Sequence, residues 1–349
     1  RFRLDGVMSE QGALPREAAP ILVSRVKVLG KMDMTLRSLP QDGQFSLELS
    51  DGRMVHLRAS TFPAIHGENL VIRILLAHQI IAMGELGVDE TEKDTLDRLL
   101  TQPSGLIIVC GPTGSGKTSS LYAMIRELDT KNLSVVTLED PIEVELDDVV
   151  QGQTNVRQGF TFASGLRAIL RQDPDVILVG EMRDSETAQI ALQASLTGHM
   201  VFTTLHTSSA IETITRLIDL GVESWIVANA LQAVVAHRLL RVLCSCATHR
   251  VLPHDIRAAE DDDRVILKAG TRVRQAKGCD KCHQTGYVGR TGIFEVVEID
   301  DEIRELIKGR AGTKQFRAVA RKASRSLREL GLLRVKKGVT SLEEVLRVT

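Results

Sequence analysis

The stretch "GLIIVCGPTGSGKTSSLYAMI", residues 105–125, decides how the chain is read. It opens as an apolar run, "LIIVC", passes through a glycine-rich loop and leaves with helical spacing. Gly111 to Thr118, "GPTGSGKT", satisfies G-x-x-x-x-G-K-[ST]. Gly111, Gly114 and Gly116 permit torsions and close approach that a Cβ forbids. With Pro112, Thr113 and Ser115 between them and Lys117, Thr118 and Ser119 opening the helix, they form a cradle. Its backbone N–H groups converge on phosphate oxygens. Lys117 is expected to neutralise β/γ charge, and Thr118 to offer a hydroxyl to Mg²⁺. The expected ligand is a nucleoside triphosphate.

Working outward, the pattern alternates strand and helix, as in a parallel sheet of the α/β class. "LSVVTL", "DVILVG" and "HMVFTTL" read as further strands, with helical stretches starting near Lys117, Ser164 and Ser185. "SSAIETITRLIDLG" is a helix with a Gly stop. "SWIVANALQAVVAHRLLRVL" reads as one long apolar helix. Upstream, residues 1–80 read as a small α/β unit. It holds a helix in "REAAPILVSRVKVLGKMD", a turn cluster "LPQDGQ", a hairpin about Asp51-Gly52 and a strand "ENLVIRILL". Residues 81–104 supply a connector and a polar helix. "AAEDDDR" reads as a solvated loop, and residues 296–349 as helical and charged.

The 349 residues suffice for two domains and a small third, at 43 % hydrophobic and 26 % charged composition. A net charge of −1 and 3 % aromatics give neither a global basic bias nor base-stacking platforms, so no nucleic-acid partner is expected. No run reaches the roughly 18–20 apolar residues of a membrane helix, so no membrane insertion is expected. The opening "RFRLDGVMS" does not begin with Met and already reads as strand, so the natural N-terminus is expected to lie upstream.

Hydrolysis needs acids and a means of orienting water. "TLEDPIE" offers Glu139, Asp140 and Glu143, and "DPDVILVGEMRD" ends a strand at Gly180-Glu181. A carboxylate just past a parallel strand's C-terminal end sits where open α/β sheets bind ligands. Asp184 and Glu186, beside a helix start, read as cap or solvated acids. His199 and His206 bracket a strand. With Thr203, Thr204 and Thr207 nearby, His206 can sense a γ-phosphate or serve structurally.

Cys279-x-x-Cys282 is a zinc-knuckle spacing. Its partner pair, Cys244-Ser245-Cys246, has a tighter C-x-C bite that can misplace one sulfur, with His249 and His283 nearby as substitutes, yet the expected zinc ligands are Cys244, Cys246, Cys279 and Cys282. Zn²⁺ there would be structural, because four protein ligands leave no open position. Cys110 reads as a small core residue.

Together "GPTGSGKTSSLYA", "TLEDPIE", "LRQDPDVILVGEMRD" and "GHMVFTTLHT" resemble, in order, the Walker A, Asp box, Walker B and His box of the secretion ATPase superfamily, assembly branch. "RLDGV", "LPQDG", "RAST", "RIL" and "GCDKCHQTGYVGRTGIFE" resemble its preceding domain and metal-binding tail. The resemblance spans nearly the whole chain. It implies a PAS-like N-terminal domain (1–80), a RecA-like P-loop ATPase core (105–240), a cysteine metal-binding subdomain (241–295) and a helical C-terminal region. It further implies ATP, Mg²⁺ and Zn²⁺ as ligands and a homo-hexameric ring that powers pseudopilus assembly for type II secretion. The pilus extension ATPase is the near alternative.

By this resemblance Glu143 and Glu181 match the catalytic acids, with the general base unassigned between them, and His206 the His-box histidine. Arg58 in "RAST" and Arg73 in "RIL" match arginines that reach the phosphates. The implied partner is an inner-membrane platform protein bound through an upstream domain, which places the chain in the cytoplasm at the inner membrane. One departure stands out: Ser38 and Gln44 replace the arginines that flank "LPQDG" in relatives, so low isolated turnover is expected. Two other classes fit parts of the pattern: a nucleic-acid motor or zinc-ribbon binder, and a nucleotide-binding scaffold with little turnover.

Overall fold

The computed structural model describes residues 1–10, 12–75, 81–258 and 265–349. Its chain divides into two compact units, Arg1–Gln79 and Ile80–Thr349. The first opens with a hairpin of β1 (Phe2–Leu4) and β2 (Val7–Ser9), followed by helix α1 (Ala18–Leu29). An antiparallel sheet of β3 (Gln41–Glu48), β4 (Met54–Ala64) and β5 (Gly67–Leu75) completes it. The Asp51-Gly52 turn joins β3 to β4, with Gly52 at φ 81°. Side chains alternate across β4. Leu57, Ala59 and Thr61 are buried, as are Val23 and Val26 of α1, whereas His56, Arg58, Ser60 and Phe62 face the opposite, more open side. "LPQDGQ" is not wholly a turn: Gln41 to Gln44 pair with Thr61 to Arg58, so the ladder outweighs the turn-forming composition of Asp42-Gly43.

The second unit begins with α2 (Glu90–Leu100), β6 (Gly105–Cys110), α3 (Lys117–Arg126), β7 (Val135–Glu139) and β8 (Val150–Gln153). It continues with α4 (Phe162–Ile169), β9 (Val176–Val179), α5 (Ser185–Leu196), β10 (Met200–Leu205), α6 (Ala210–Asp219), α7 (Ser224–Ala230) and β11 (Leu231–Leu243). A cysteine-bearing region pairs β12 (Thr248–Val251) with β15 (Arg272–Gln275) and β13 (Ile256–Arg257) with β14 (Val265–Leu267). Residues 259–264, within "AAEDDDR", lie outside the described residues. Strand β16 (Tyr287–Glu298) and helices α8 (Asp301–Lys308), α9 (Thr313–Ala323), α10 (Leu327–Lys336) and α11 (Leu342–Val348) end the unit.

Seven strands form one sheet in the order β16-β11-β6-β10-β9-β7-β8, parallel throughout except where β16 runs against β11. β6 lies inside it and is fully buried, which matches its uninterrupted apolar sequence. Leu106, Ile108 and Cys110 join the core that holds Ala188, Leu192 and Ile214. Ile107 and Val109 join Leu96, Leu99, Leu121 and Met124 on the other face. Each fully buried aliphatic side chain contributes roughly 1.5–3 kcal/mol. Cys110 is thus a core residue, as expected.

The long helix expected over residues 224–243 is absent. Its first turns form α7, and the remainder is β11, flanked by β6 and β16. A short apolar run has no period that separates buried helix from buried strand. Val234-Val235, buried on both sides of the sheet, tip it to strand.

The C-terminal helix is fastened to β11 by charge. Glu344 is fully buried and meets Arg241 at 2.7 Å and Arg347 at 2.6 Å. Burial opposes its ionisation, but hydrogen bonds from Arg347 and Arg241 outweigh that and hold the carboxyl down at about 2. A depressed carboxylate contributes stability above its unfolded value, lost as pH falls through the folded one. Glu344→Gln is therefore expected to lower the unfolding free energy by about 3 kcal/mol in urea melts at neutral pH. It should also flatten the decline in stability between pH 4.5 and 2.

Candidate functional site

The loop Gly111–Gly116 joins the end of β6 to the start of α3. Gly116, at φ 91°, is the N-cap of α3, and a Cβ there would stand 2.8 Å from the His237 ring. A Cβ on Gly111 would stand 2.7 Å from the His237 carbonyl oxygen. Both glycines are thus demanded by close approach to β11. Pro112, Thr113 and Gly114 are exposed, Ser115 is buried, Thr118 is half-buried and Ser119 exposed.

Lys117 folds back over the loop. Its ammonium donates to the carbonyls of Gly111 at 2.9 Å and Pro112 at 3.1 Å, and lies 3.4 Å from Nδ1 of His206. Burial lowers its pKa, and among the described residues no carboxylate lies within ion-pair distance of it. The Ser115 hydroxyl, also buried, has no hydrogen-bond partner among the described residues. An unpaired buried cation and an orphaned hydroxyl in one glycine-rich loop fit an anionic group with several acceptor oxygens.

Glu181 follows Gly180 at the end of β9, and its side chain is 15 % exposed. One carboxylate oxygen meets Arg183, and the other lies 3.4 Å from Nε2 of His206. His206, just past β10, therefore stands between the Lys117 ammonium and the Glu181 carboxylate. With Lys117 donating at Nδ1, the neutral ring carries its proton on Nε2, facing Glu181. Thr204 secures this corner by donating to the Gly180 carbonyl at 2.7 Å, and the Met182 N–H donates to the Thr204 carbonyl at 3.1 Å. Three residues singled out in sequence thus meet at the C-terminal ends of three parallel strands.

Glu143 is exposed, and its carboxylate has no ion-pair partner among the described residues. Its N–H donates to the Tyr122 hydroxyl at 3.4 Å. The buried acid of this segment is Glu139, the last residue of β7, which accepts from Tyr122, from Thr137 at 2.7 Å and from Gln151 at 3.1 Å. Burial and the Glu139 carboxylate push the Tyr122 hydroxyl far up, so it stays a neutral donor. Glu139 is thereby a bolt between α3, β7 and β8 that sets where the segment bearing Glu143 leaves the sheet. Asp184 caps α5 by accepting from the Thr187 N–H at 2.8 Å, and Glu186 pairs with Arg167. His199 bonds the Ala194 carbonyl at 2.9 Å, a structural contact.

Arg58 and Arg73 belong to the first unit. They stand directly opposite each other in the β4–β5 register, and the nearest acid to Arg58 is Asp42 at 3.9 Å. Opposed like charges on neighbouring strands weaken a sheet. Sequence reading missed Tyr122 and the His237-Arg238 pair. Arg238 is buried and donates to the carbonyls of His237 at 3.0 Å, Ser208 at 2.6 Å and Val348 at 3.2 Å.

The four cysteines read as the metal site come together, and the C-x-C bite misplaces neither of its sulfurs. All four Sγ atoms of Cys244, Cys246, Cys279 and Cys282 lie within 4.8 Å of one another, without His249 or His283. The separations include 3.8 Å for Cys244–Cys279, 3.9 Å for Cys246–Cys282 and 3.7 Å for Cys279–Cys282. A tetrahedron of sulfurs about 2.3 Å from zinc has edges of about 3.8 Å. The pairs reach one centre because the Cys244 N–H is tied to the Gly286 carbonyl at 2.9 Å, across the two segments. N–H groups of Cys279 and Gly286 both donate to Cys282 Sγ at 3.2 Å. Burial works against the thiolate, yet these donors bring that thiol down to about 6.

A family model described as type II/IV secretion system protein matches residues 1–347. The type II secretion system ATPase E of Vibrio cholerae is 46 % identical over 354 residues, which cover 100 % of this chain and 69 % of that protein. The type II secretion system protein E of Aeromonas hydrophila is 46 % identical over 351 residues, with the same coverage. Among solved structures, the pilus retraction motor PilT with bound ADP superposes with a TM-score of 0.65 at 26 % identity, over 99 % of this chain and 89 % of that one. The Legionella pneumophila ATPase DotB gives 0.67 at 21 % identity, over 97 % and 85 %, a likeness of fold.

Proposed function

The chain belongs to the type II/IV secretion system protein family as a type II secretion ATPase, and we propose that Gly111–Ser119 binds ATP with Mg²⁺ and that Glu181 and Glu143 drive its hydrolysis. The observation that carries this reading is the Lys117–His206–Glu181 chain at the ends of β6, β9 and β10. The γ-phosphate would take over the ammonium of Lys117 from the loop carbonyls. His206 is then released from Lys117 and left with its Nε2 facing Glu181, so one ring couples occupancy of the loop to the acid. Glu181, largely shielded and with a charged or ring partner beside each oxygen, suits the base that orders water, and Glu143, more exposed, suits a second acid at the same phosphate. When bound, Mg²⁺ at Thr118 supplies positive charge to the β- and γ-phosphates.

Arg58 and Arg73 supply the remaining cations. Two guanidiniums opposed across a ladder lower stability, and Asp42, an exposed carboxylate 3.9 Å from Arg58, offsets little of that, which favours a functional reason for the pair. Cations on one unit and acids on the other favour a ring in which neighbours complete each site, a homo-hexamer at the cytoplasmic face of the inner membrane. Its shape change would drive pseudopilus assembly through a platform protein. Zn²⁺ held by the four cysteines is a structural staple, with no position open for substrate.

Three outcomes are expected. Lys117→Ala abolishes ATP binding, while Glu181→Gln retains binding and loses turnover by about 10² or more; undiminished hydrolysis by Glu181→Gln would remove it as the base. Arg73→Gln raises the melting temperature slightly, by removing about 0.2–1 kcal/mol of repulsion, yet lowers turnover. A variant that loses stability instead would mark Arg73 as structural. Elemental analysis should find one zinc per chain, lost in Cys279→Ser together with part of the thermal stability.

A further inference from the structure

His237 is 1 % exposed, inside the sheet on β11. Its Nδ1 lies 3.0 Å from the Ser120 hydroxyl, which lies 3.1 Å from the carbonyl oxygen of Gly116. A serine hydroxyl has one proton and a carbonyl has none. Both contacts are hydrogen bonds only if Ser120 donates to Gly116 and the ring's Nδ1–H donates to Ser120. The bare nitrogen is then Nε2, which is buried and has no partner among the described residues. The ring lies flat on Phe294 of β16, with centroids 4.1 Å apart and planes 14° from parallel. It is closed in by Gly116 and Gly292, where added Cβ atoms would stand 2.8 Å from Cε1 and Nε2 respectively.

Packing alone does not account for this residue. A buried orphaned acceptor costs about 1–3 kcal/mol, which a leucine would avoid. Protonation does not relieve it, because burial, with the charges of Arg238 and Lys117, drives the ring down to about 3. What the imidazole does offer is one fixed donor, aimed at the hydroxyl that holds Gly116. The Gly116 carbonyl and the Lys117 N–H share one planar trans peptide and point in opposite directions. Whatever fixes that carbonyl fixes that N–H, a donor at the start of α3. The carbonyl of His237 itself backs Gly111, at the other end of the loop.

We propose that His237 is a positioning residue for nucleotide, locking the Gly116–Lys117 peptide through Ser120 so that the loop's N–H groups are aimed before phosphate arrives. This rests on the reading of Gly111–Thr118 as the ATP site.

The test is a double-mutant cycle on the full chain, with ATP and Mg²⁺ as the probe. Affinity, KM and kcat are read alongside melting of the nucleotide-free protein. His237→Leu is expected to weaken ATP binding and raise KM about tenfold, with kcat within about twofold and the melting temperature unchanged or higher, since its orphaned nitrogen is gone. Ser120→Ala should weaken binding similarly, and the double variant no further than either single. His237→Asn places an amide N–H where Nδ1–H stood and should restore most of the affinity. Wild-type binding by His237→Leu, additive losses in the double variant, or no rescue by asparagine while the variant still folds would each overturn the proposal alone. A wild-type chain that binds no ATP would overturn the nucleotide reading, and this inference with it.

Discussion

A strand buried on both faces can offer chemistry only at its ends, and that constraint organises this unit. β6 is packed between helices above and below and between β11 and β10 at its sides. Its C-terminal end is therefore where its backbone can leave the sheet, and the loop before Lys117 is what leaves. The ends of β9 and β10 deliver Glu181 and His206 to the same rim because the strands are parallel and in register. Had β10 run antiparallel, His206 would lie at the far edge.

Buried polar groups at this rim are arranged with unequal satisfaction. Glu139 has three donors and is fixed. Among the described residues the Ser115 hydroxyl and the Nε2 of His237 have no hydrogen-bond partner, and Lys117, though hydrogen-bonded, has no counter-charge within ion-pair distance; all three belong to the loop or to its backing. Such deficits cost stability in the resting protein, and at Lys117 and Ser115, which can donate, they are where an arriving anion finds binding energy.

Much of this was legible in the sequence, for reasons that particular residues explain. Glycines with a Lys-Thr leave few alternatives, so the loop and α3 could be read directly. Glu181 and His206 were readable because each ends an apolar run. β11 was not, because "LQAVVAHRLLRVL" has the composition of a buried element and no period to choose its type. The error then hid His237, which on a helix would point elsewhere. The cross-strand opposition of Arg58 and Arg73 depends on the β4–β5 register, which the connection between Ala64 and Gly67 sets but composition does not reveal. The C-x-C bite was a poor guide for a similar reason: local bite says little when Gly286 on a distant segment sets where Cys244 sits.

Arg238 carries a consequence for motion. Its guanidinium is a rigid planar fork whose separate prongs hold the Ser208 carbonyl, two residues past His206, and the Val348 carbonyl at the end of α11. The histidine loop and the terminal helix are thus yoked to one buried charge. Displacing the loop alone takes an acceptor from an arginine that is only 8 % exposed. Moving loop and helix together keeps both bonds, whereas moving either alone breaks one.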